Sequence, residues 1–197
     1  MKLCVFQGTF NPIHKAHLRV AEFIADKIKP DKFLFIPAYI PPHKNSDVKF
    51  AKHRLNMVRL AVEDDNRFEV SDIEFHREGK SYTYDTILEL YKIYDITDKI
   101  YFVIGTDAFK HIESWYKTEE LKKLVKFVVF IRENDFNPDN YEDLKKKGYD
   151  FEFQVLPYED ISSTNIRYEL HDGIEQVQLE LPEKVMEYIE KNELYKN

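Results

Sequence analysis

Short, nearly continuous apolar runs alternate along the chain with stretches in which apolar residues recur every three or four positions. The first run, Leu3 to Phe6, is β-branched or aromatic in character, is broken at Gly8 and reaches a turn at Asn11-Pro12. Leu18, Ala21, Ile24, Ala25 and Ile28 then share one helical face, with Arg19, Glu22, Asp26 and Lys27 largely off it, and Pro30 closes the helix. Lys32 to Pro37 reads as a strand covered on both faces, so the chain opens with a right-handed βαβ unit. A loop from Ala38 to Asp47 carries Pro41-Pro42-His43-Lys44, and its prolines stiffen it and hold His43 and Lys44 outward. Ala51, Leu55, Val58 and Val62 mark a second helix, Phe68 to Ile73 a third strand, and Glu74 to Tyr82 a loop. Thr83 or Asp85 caps a helix running to about Tyr94.

The second half repeats the alternation. Lys99 to Ile104 is a fourth strand stopped by Gly105, followed at once by Thr106-Asp107 and an aromatic-rich turn through Trp115-Tyr116. Thr118 to Leu124 is helical, and Phe127 to Ile131 is a fifth strand ending in Arg132. Asp135 to Gly148 holds a loop and a short lysine-rich helix with a solvated face, and Phe151 to Leu156 is a sixth strand. Ser162-Ser163-Thr164 opens a helix with Arg167 one turn in, and a last helix starts near Pro182, stacking Val185 and Ile189 with Tyr188 beside them. No repeat or linker interrupts this order, so one domain over residues 1–197 is expected. Its class is α/β, doubly wound, with a mostly parallel sheet. Ligands of such sheets bind beyond the carboxyl ends of the strands, at the point where strand order reverses. Gly8 to His17, His43-Lys44, Thr106-Asp107, Arg132 and Ser162 to Arg167 all follow strands at that end.

Composition narrows the partners. With 43% hydrophobic and 33% charged residues the 197-residue chain reads as globular, and its formal charge of −7 argues against a broad nucleic-acid face. The one cysteine, Cys4, lies in a core strand and allows no disulfide framework. There is no apolar leader, and no apolar run approaches the ~20 residues of a membrane helix, so a cytoplasmic protein is expected.

The five glycines form neither a Walker loop nor G-x-G-x-x-G. A phosphate must therefore be held by backbone amides near Gly8-Thr9-Phe10, by His14 and His17 at the start of the first helix, by the hydroxyls of Ser162, Ser163 and Thr164, and by the cations Lys44, Arg132 and Arg167. Phosphoryl and nucleotidyl transfer ask for little beyond such positioning and charge neutralisation. Each group has a simpler use. Ser-Ser-Thr caps helices, Trp115-Tyr116 packs, Asp107 caps a turn, and His-x-x-His binds metal, although no third ligand stands at usable spacing.

These residues resemble the bacterial nicotinate-nucleotide adenylyltransferases, nucleotidyltransferases with an H-x-G-H-type signature. Gly8-Thr9-Phe10-Asn11-Pro12-Ile13-His14 with His17 resembles the signature loop, and Pro41-Pro42-His43-Lys44 the second loop. Ser71-Asp72-Ile73-Glu74, Gly79 to Thr86, Ile104 to Asp107 and Trp115-Tyr116 resemble the middle of the family. Ile161 to Arg167 resembles its C-terminal nucleotide motif, and Leu181-Pro182 through Leu194-Tyr195 its tail. The resemblance implies a Rossmann-like fold that joins ATP to nicotinate mononucleotide by direct in-line attack, giving deamido-NAD and pyrophosphate. Mg²⁺ would travel with the ATP phosphates, and no metal would be held by protein side chains. By resemblance, His14 and His17 contact the ATP phosphates, Ser162, Ser163, Thr164 and Arg167 hold the triphosphate, and Lys44 lies near the reacting phosphates. Gly8, Thr9, Phe10 and Gly105 belong to the ATP site. Asp107 takes a ribose hydroxyl, Trp115 stacks on the pyridine, backbone near Thr83, Tyr84 and Tyr116 takes the carboxylate, and Arg132 sits on the acceptor side. A monomer or homodimer is expected.

The chain departs from the pattern at four places. Gln7 replaces a glycine and narrows the backbone's approach to ligand. Asn11 replaces the commoner Asp and loses a charge beside the phosphates. Ala16 replaces the glycine between the histidines, and Arg132 lacks the Pro-Gly that follows it in the family. Both histidines and the Ser-Ser-Thr-x-x-Arg set are kept, so an active enzyme is expected. The competing readings are a preference for nicotinamide mononucleotide or another small phosphate, a non-catalytic nucleotide-binding regulator, and, more distantly, a metallohydrolase built on the two histidines.

Overall fold

The computed structural model describes residues 1–43, 48–157 and 159–196. Six strands form one sheet: β1 (Leu3–Gly8), β2 (Lys32–Pro37), β3 (Phe68–Val70), β4 (Ile100–Gly105), β5 (Val125–Phe130) and β6 (Phe151–Gln154). Their order is β3-β2-β1-β4-β5-β6, and every neighbouring pair is parallel. The sheet is thus wound outward from the β1/β4 pair in both directions, the doubly wound arrangement expected from the alternation of periods.

The helices are α1 (Lys15–Ile28), α2 (Val48–Val62), α3 (Thr83–Ile93), α4 (Thr106–Phe109), α5 (Thr118–Leu124), α6 (Glu142–Lys146), α7 (Ser163–Glu169) and α8 (Glu183–Lys191). Strand side chains alternate between two cores. Cys4, Phe6, Phe33, Phe35, Val103 and Val128 face α1, α2, α7 and α8, whereas Leu3, Val5, Leu34, Ile36, Phe102, Phe127 and Val129 face α3, α4, α5 and α6. Burial on both faces explains why the strands read as unbroken apolar runs. Among the described residues, no helix is long and apolar enough to cross a membrane.

Several boundaries differ from expectation. The third strand ends at Val70, because Ile73–His76 turn into a 3₁₀ helix that buries Ile73 and Glu74. Neither Thr83 nor Asp85 caps α3. Tyr82 occupies the N-cap and gives no side-chain hydrogen bond to it. The fourth strand takes in Gly105, and the fifth begins at Val125 rather than Phe127, because Ile100 pairs with Val125 directly after α5. Ala16 sits in the first turn of α1, which starts at Lys15.

Candidate active site

The carboxyl ends of β1 and β4 open into a cavity of about 1000 Å³, within the range of small-molecule sites. Gly8 to Asn11, His14 and His17 line one side, Ser162, Ser163, Thr164 and Arg167 another, and Thr83, Asp107, Trp115 and Tyr116 a third. His43 reaches the same space, whereas Lys44 lies outside the described residues.

The two histidines are fixed by the entry into α1. His14 is the N-cap residue, with extended backbone, and its amide donates to Nδ1 of His17 at 3.2 Å. Accepting that bond puts the proton of a neutral His17 ring on Nε2. The rings stack with centroids 3.6 Å apart, and Phe10 meets His17 edge-on at 5.1 Å. His14 is 2% exposed, and among the described residues its Nδ1 has no hydrogen-bond partner. Burial, with the Arg132 guanidinium adding to it, lowers its pKa from 6.5 to about 3. The ring is therefore neutral at pH 7, and it meets a phosphate as an uncharged donor or acceptor.

The signature loop is braced from several elements. Arg54 of α2, 1% exposed, donates from Nη1 to the Thr9 carbonyl at 2.8 Å and from Nη2 to the Tyr39 carbonyl at 3.1 Å, joining this loop to the segment after β2. Arg167 Nη1 donates to the Asn11 carbonyl at 2.7 Å, Ser163 Oγ to the Pro12 carbonyl at 2.8 Å, and Tyr195 Oη to Asn11 Oδ1 at 2.6 Å. Phe10 adopts φ 49°, and its ring is packed against Phe6 and Phe35, so only its backbone is placed to meet a ligand. The Ser-Ser-Thr hydroxyls are largely committed within the protein. Ser162 caps α7 by accepting from Asn165 N, and Thr164 Oγ1 accepts from Arg167 Nη2.

On the other side of the cavity Gly105 leaves room for the side chains of Asp107 and Arg132. A Cβ there would lie 2.6 Å from Asp107 Oδ1 and 3.1 Å from Arg132 Cδ. Arg132 approaches Asp107 at 3.9 Å while its amide donates to Thr106 Oγ1 at 3.0 Å. Trp115 meets Phe102 edge-on, and Tyr116 packs on Tyr82 with ring centroids 4.4 Å apart. Tyr84 does not line the cavity, and its ring meets Tyr116 from outside.

Sequence reasoning missed Arg54, Glu74 and the role of Tyr195. Arg54 carries a readable signal, since it falls on the apolar stripe of α2 between Ala51 and Val58. Glu74 is 1% exposed and accepts from the Tyr39 amide, Thr86 Oγ1 and Gln7 Nε2. The Gln7 side chain lines the cavity and is held in this hydrogen-bond network. Among the described residues no three His, Cys, Asp or Glu side chains converge on a possible metal position.

Residues 5–169 match the Cytidylyltransferase-like family. A protein of Staphylococcus epidermidis, described as a probable nicotinate-nucleotide adenylyltransferase, is 39% identical over 195 residues, 98% of this chain and 97% of its own. One of Clostridium tetani with the same description is 38% identical over 202 residues, covering 99% of both chains. The fold is that of Plasmodium falciparum nicotinic acid mononucleotide adenylyltransferase complexed with NaAD, at TM-score 0.81 and 24% identity over 98% of this chain and 97% of that one. With the strand order, the paired histidines and full-length similarity in agreement, this chain belongs to the nicotinate-nucleotide adenylyltransferases of the Cytidylyltransferase-like family.

Proposed function

We propose that the chain transfers the adenylyl group of ATP to nicotinate mononucleotide, forming deamido-NAD and releasing pyrophosphate, with residues 1–197 acting as one nucleotidyltransferase unit. The observation that carries this reading is one cavity with two chemically different sides across the β1/β4 switch. Imidazoles, a helix start and Arg167 stand on one side, and aromatic rings and the uncapped start of α3 on the other. The first suits a triphosphate and the second a flat ring bearing an anion.

An acceptor phosphate oxygen attacks the α-phosphorus of ATP in line, the bond to the bridging oxygen breaks, and pyrophosphate leaves with the electron pair. The ionised phosphate is itself the nucleophile, so no protein base is needed. His14 and His17 stabilise the charge developing on the phosphorus oxygens, and Arg167 with the 162–164 turn positions the leaving pyrophosphate. Gly8, Thr9 and Gly105 let the nucleotide approach the backbone. Trp115 stacks on the pyridine, Asp107 takes a ribose hydroxyl, the backbone at Thr83 and Tyr116 receives the carboxylate, and Arg132 closes the acceptor side, whereas Tyr84, outside the cavity lining, takes no part. Among the described residues the lining offers imidazole, hydroxyl and guanidinium groups with one carboxylate, Asp107, so Mg²⁺ would be held by the ATP phosphates rather than by protein side chains.

Pyrophosphate release is measured with ATP, Mg²⁺ and either nicotinate or nicotinamide mononucleotide. Turnover favouring the nicotinate acceptor is expected. His17→Ala is expected to lower kcat by ~10²-fold or more, the effect of losing one preorganised transition-state donor. A near-normal kcat in that variant overturns the assigned role, and equal or reversed acceptor preference overturns the substrate.

A further inference from the structure

The acceptor side has an electrostatic problem. Glu74 is buried beneath it, yet the substrate proposed above arrives with a carboxylate. Two amides and two hydroxyls, that of Ser81 among them, surround Glu74, and the amides can only donate to it. The Tyr39 amide reaches Oε2 at 3.2 Å, Thr86 Oγ1 reaches Oε1 at 2.7 Å, and Gln7 Nε2 reaches the same Oε1. Amide N–H groups cannot accept a carboxyl proton, so this shell suits the ionised form. Burial works in the opposite direction and outweighs these bonds, so the Glu74 pKa is raised, with the bonds from Thr86, Ser81 and the Tyr39 amide and nearby Arg77 offsetting part of the rise.

Gln7 stands between this charge and the cavity. Gln7 and Thr83 line the cavity and Glu74 does not. With Nε2 given to Glu74, the orientation of the carboxamide is fixed, and Oε1 accepts from Thr83 Oγ1 at 2.7 Å. Thr83 opens α3, whose N-cap provides no side-chain bond of its own. One side chain thus screens the buried anion and ties down the helix start where an anion would be received.

We propose that Gln7 is a specificity-determining residue. Its carboxamide, fixed between Glu74 and Thr83 Oγ1, screens Glu74 from the acceptor's carboxylate, so that the site accepts an anionic pyridine. This rests on the acceptor assigned above. The residue that departs from the family pattern at the end of β1 becomes the partner of Glu74, and the two form a unit.

The test compares kcat/KM for nicotinate and nicotinamide mononucleotide in the wild type, Gln7→Met, Glu74→Gln and the double variant. Methionine keeps the length and removes both polar atoms. In Gln7→Met the acid-over-amide ratio is expected to fall roughly tenfold, the scale of one newly unscreened like-charge pair. In the Glu74→Gln background the same substitution is expected to leave the ratio unchanged, because the charge is gone. A mere packing defect lowers both acceptors together. A wild type without acid preference overturns the acceptor assignment and this inference together. A wild-type acid preference that survives Gln7→Met, or that falls equally in both backgrounds, overturns the role of Gln7 alone. Should Gln7→Met not fold, Glu74→Gln by itself decides. The acid-over-amide ratio is then expected to hold or rise, and a fall overturns the inference.

Discussion

His14→Asn removes the one titratable group whose burial sets it furthest against protonation beside the phosphate side, and keeps the backbone N–H that His17 requires. In the folded chain the His14 pKa lies at about 3, against 6.5 for the ordinary side chain. The folded value is depressed, and His is a base, so the unfolded chain binds more protons between these two values. Stability therefore rises with pH across that window and is lost on acidification. At ~1.4 kcal/mol per pH unit the whole penalty is roughly 5 kcal/mol, a large share of a typical folding free energy. Between pH 7 and pH 5 the unfolded imidazole becomes almost fully protonated while the folded one does not, which gives about 2 kcal/mol from this residue. Urea unfolding at both pH values checks it. The wild type is expected to lose about 2 kcal/mol more than His14→Asn on going from pH 7 to pH 5. Saturating MgATP should narrow the gap, since phosphate charge beside the ring restores its affinity for a proton. Parallel losses in the two proteins would refute the assignment of a neutral, desolvated imidazole.

Two further substitutions test the frame around the signature loop. Arg54→Met leaves the Thr9 and Tyr39 carbonyls without their donor, and is expected to cost roughly 2–4 kcal/mol in chemical denaturation and to raise the KM for ATP. Tyr195→Phe removes the bond to Asn11 Oδ1 and should cost about 1 kcal/mol, raising the KM for ATP with the acceptor KM unchanged, as steady-state kinetics with each substrate varied would show.

The doubly wound sheet was legible because the four inner strands, β1, β2, β4 and β5, are buried on both faces and each long helix on one, so that period separates them. β3 was overextended, since Ile73 is as apolar as a strand residue but is buried by a 3₁₀ turn that also seats Glu74. Of the candidate site, the histidine pair and the positions at strand ends were legible from spacing. The uses of individual polar atoms were not. Ser162 is a helix cap and Ser163 a tie to Pro12, and neither differs in sequence from a phosphate ligand. Gln7 and Glu74 lie 67 positions apart, and nothing local in either segment shows that they meet.

The signature loop illustrates what those long-range ties accomplish. The carbonyls of Gly8, Thr9, Asn11 and Pro12 accept from the Ala38 amide, Arg54, Arg167 and Ser163 respectively. A carbonyl left to face a triphosphate would set its negative end against phosphate oxygens, and a buried one without a donor would carry a desolvation cost. Assigning each of these four a donor removes both penalties before the nucleotide arrives. It also explains how Asn11 can stand where the family commonly has Asp. Its Oδ1 is used by Tyr195 and its main-chain oxygen by Arg167, and an amide oxygen serves that bracing role as well as a carboxylate. Asn11 is thereby held by its side chain and its main chain at once, a tie that asks for an acceptor at residue 11 and not for a charge.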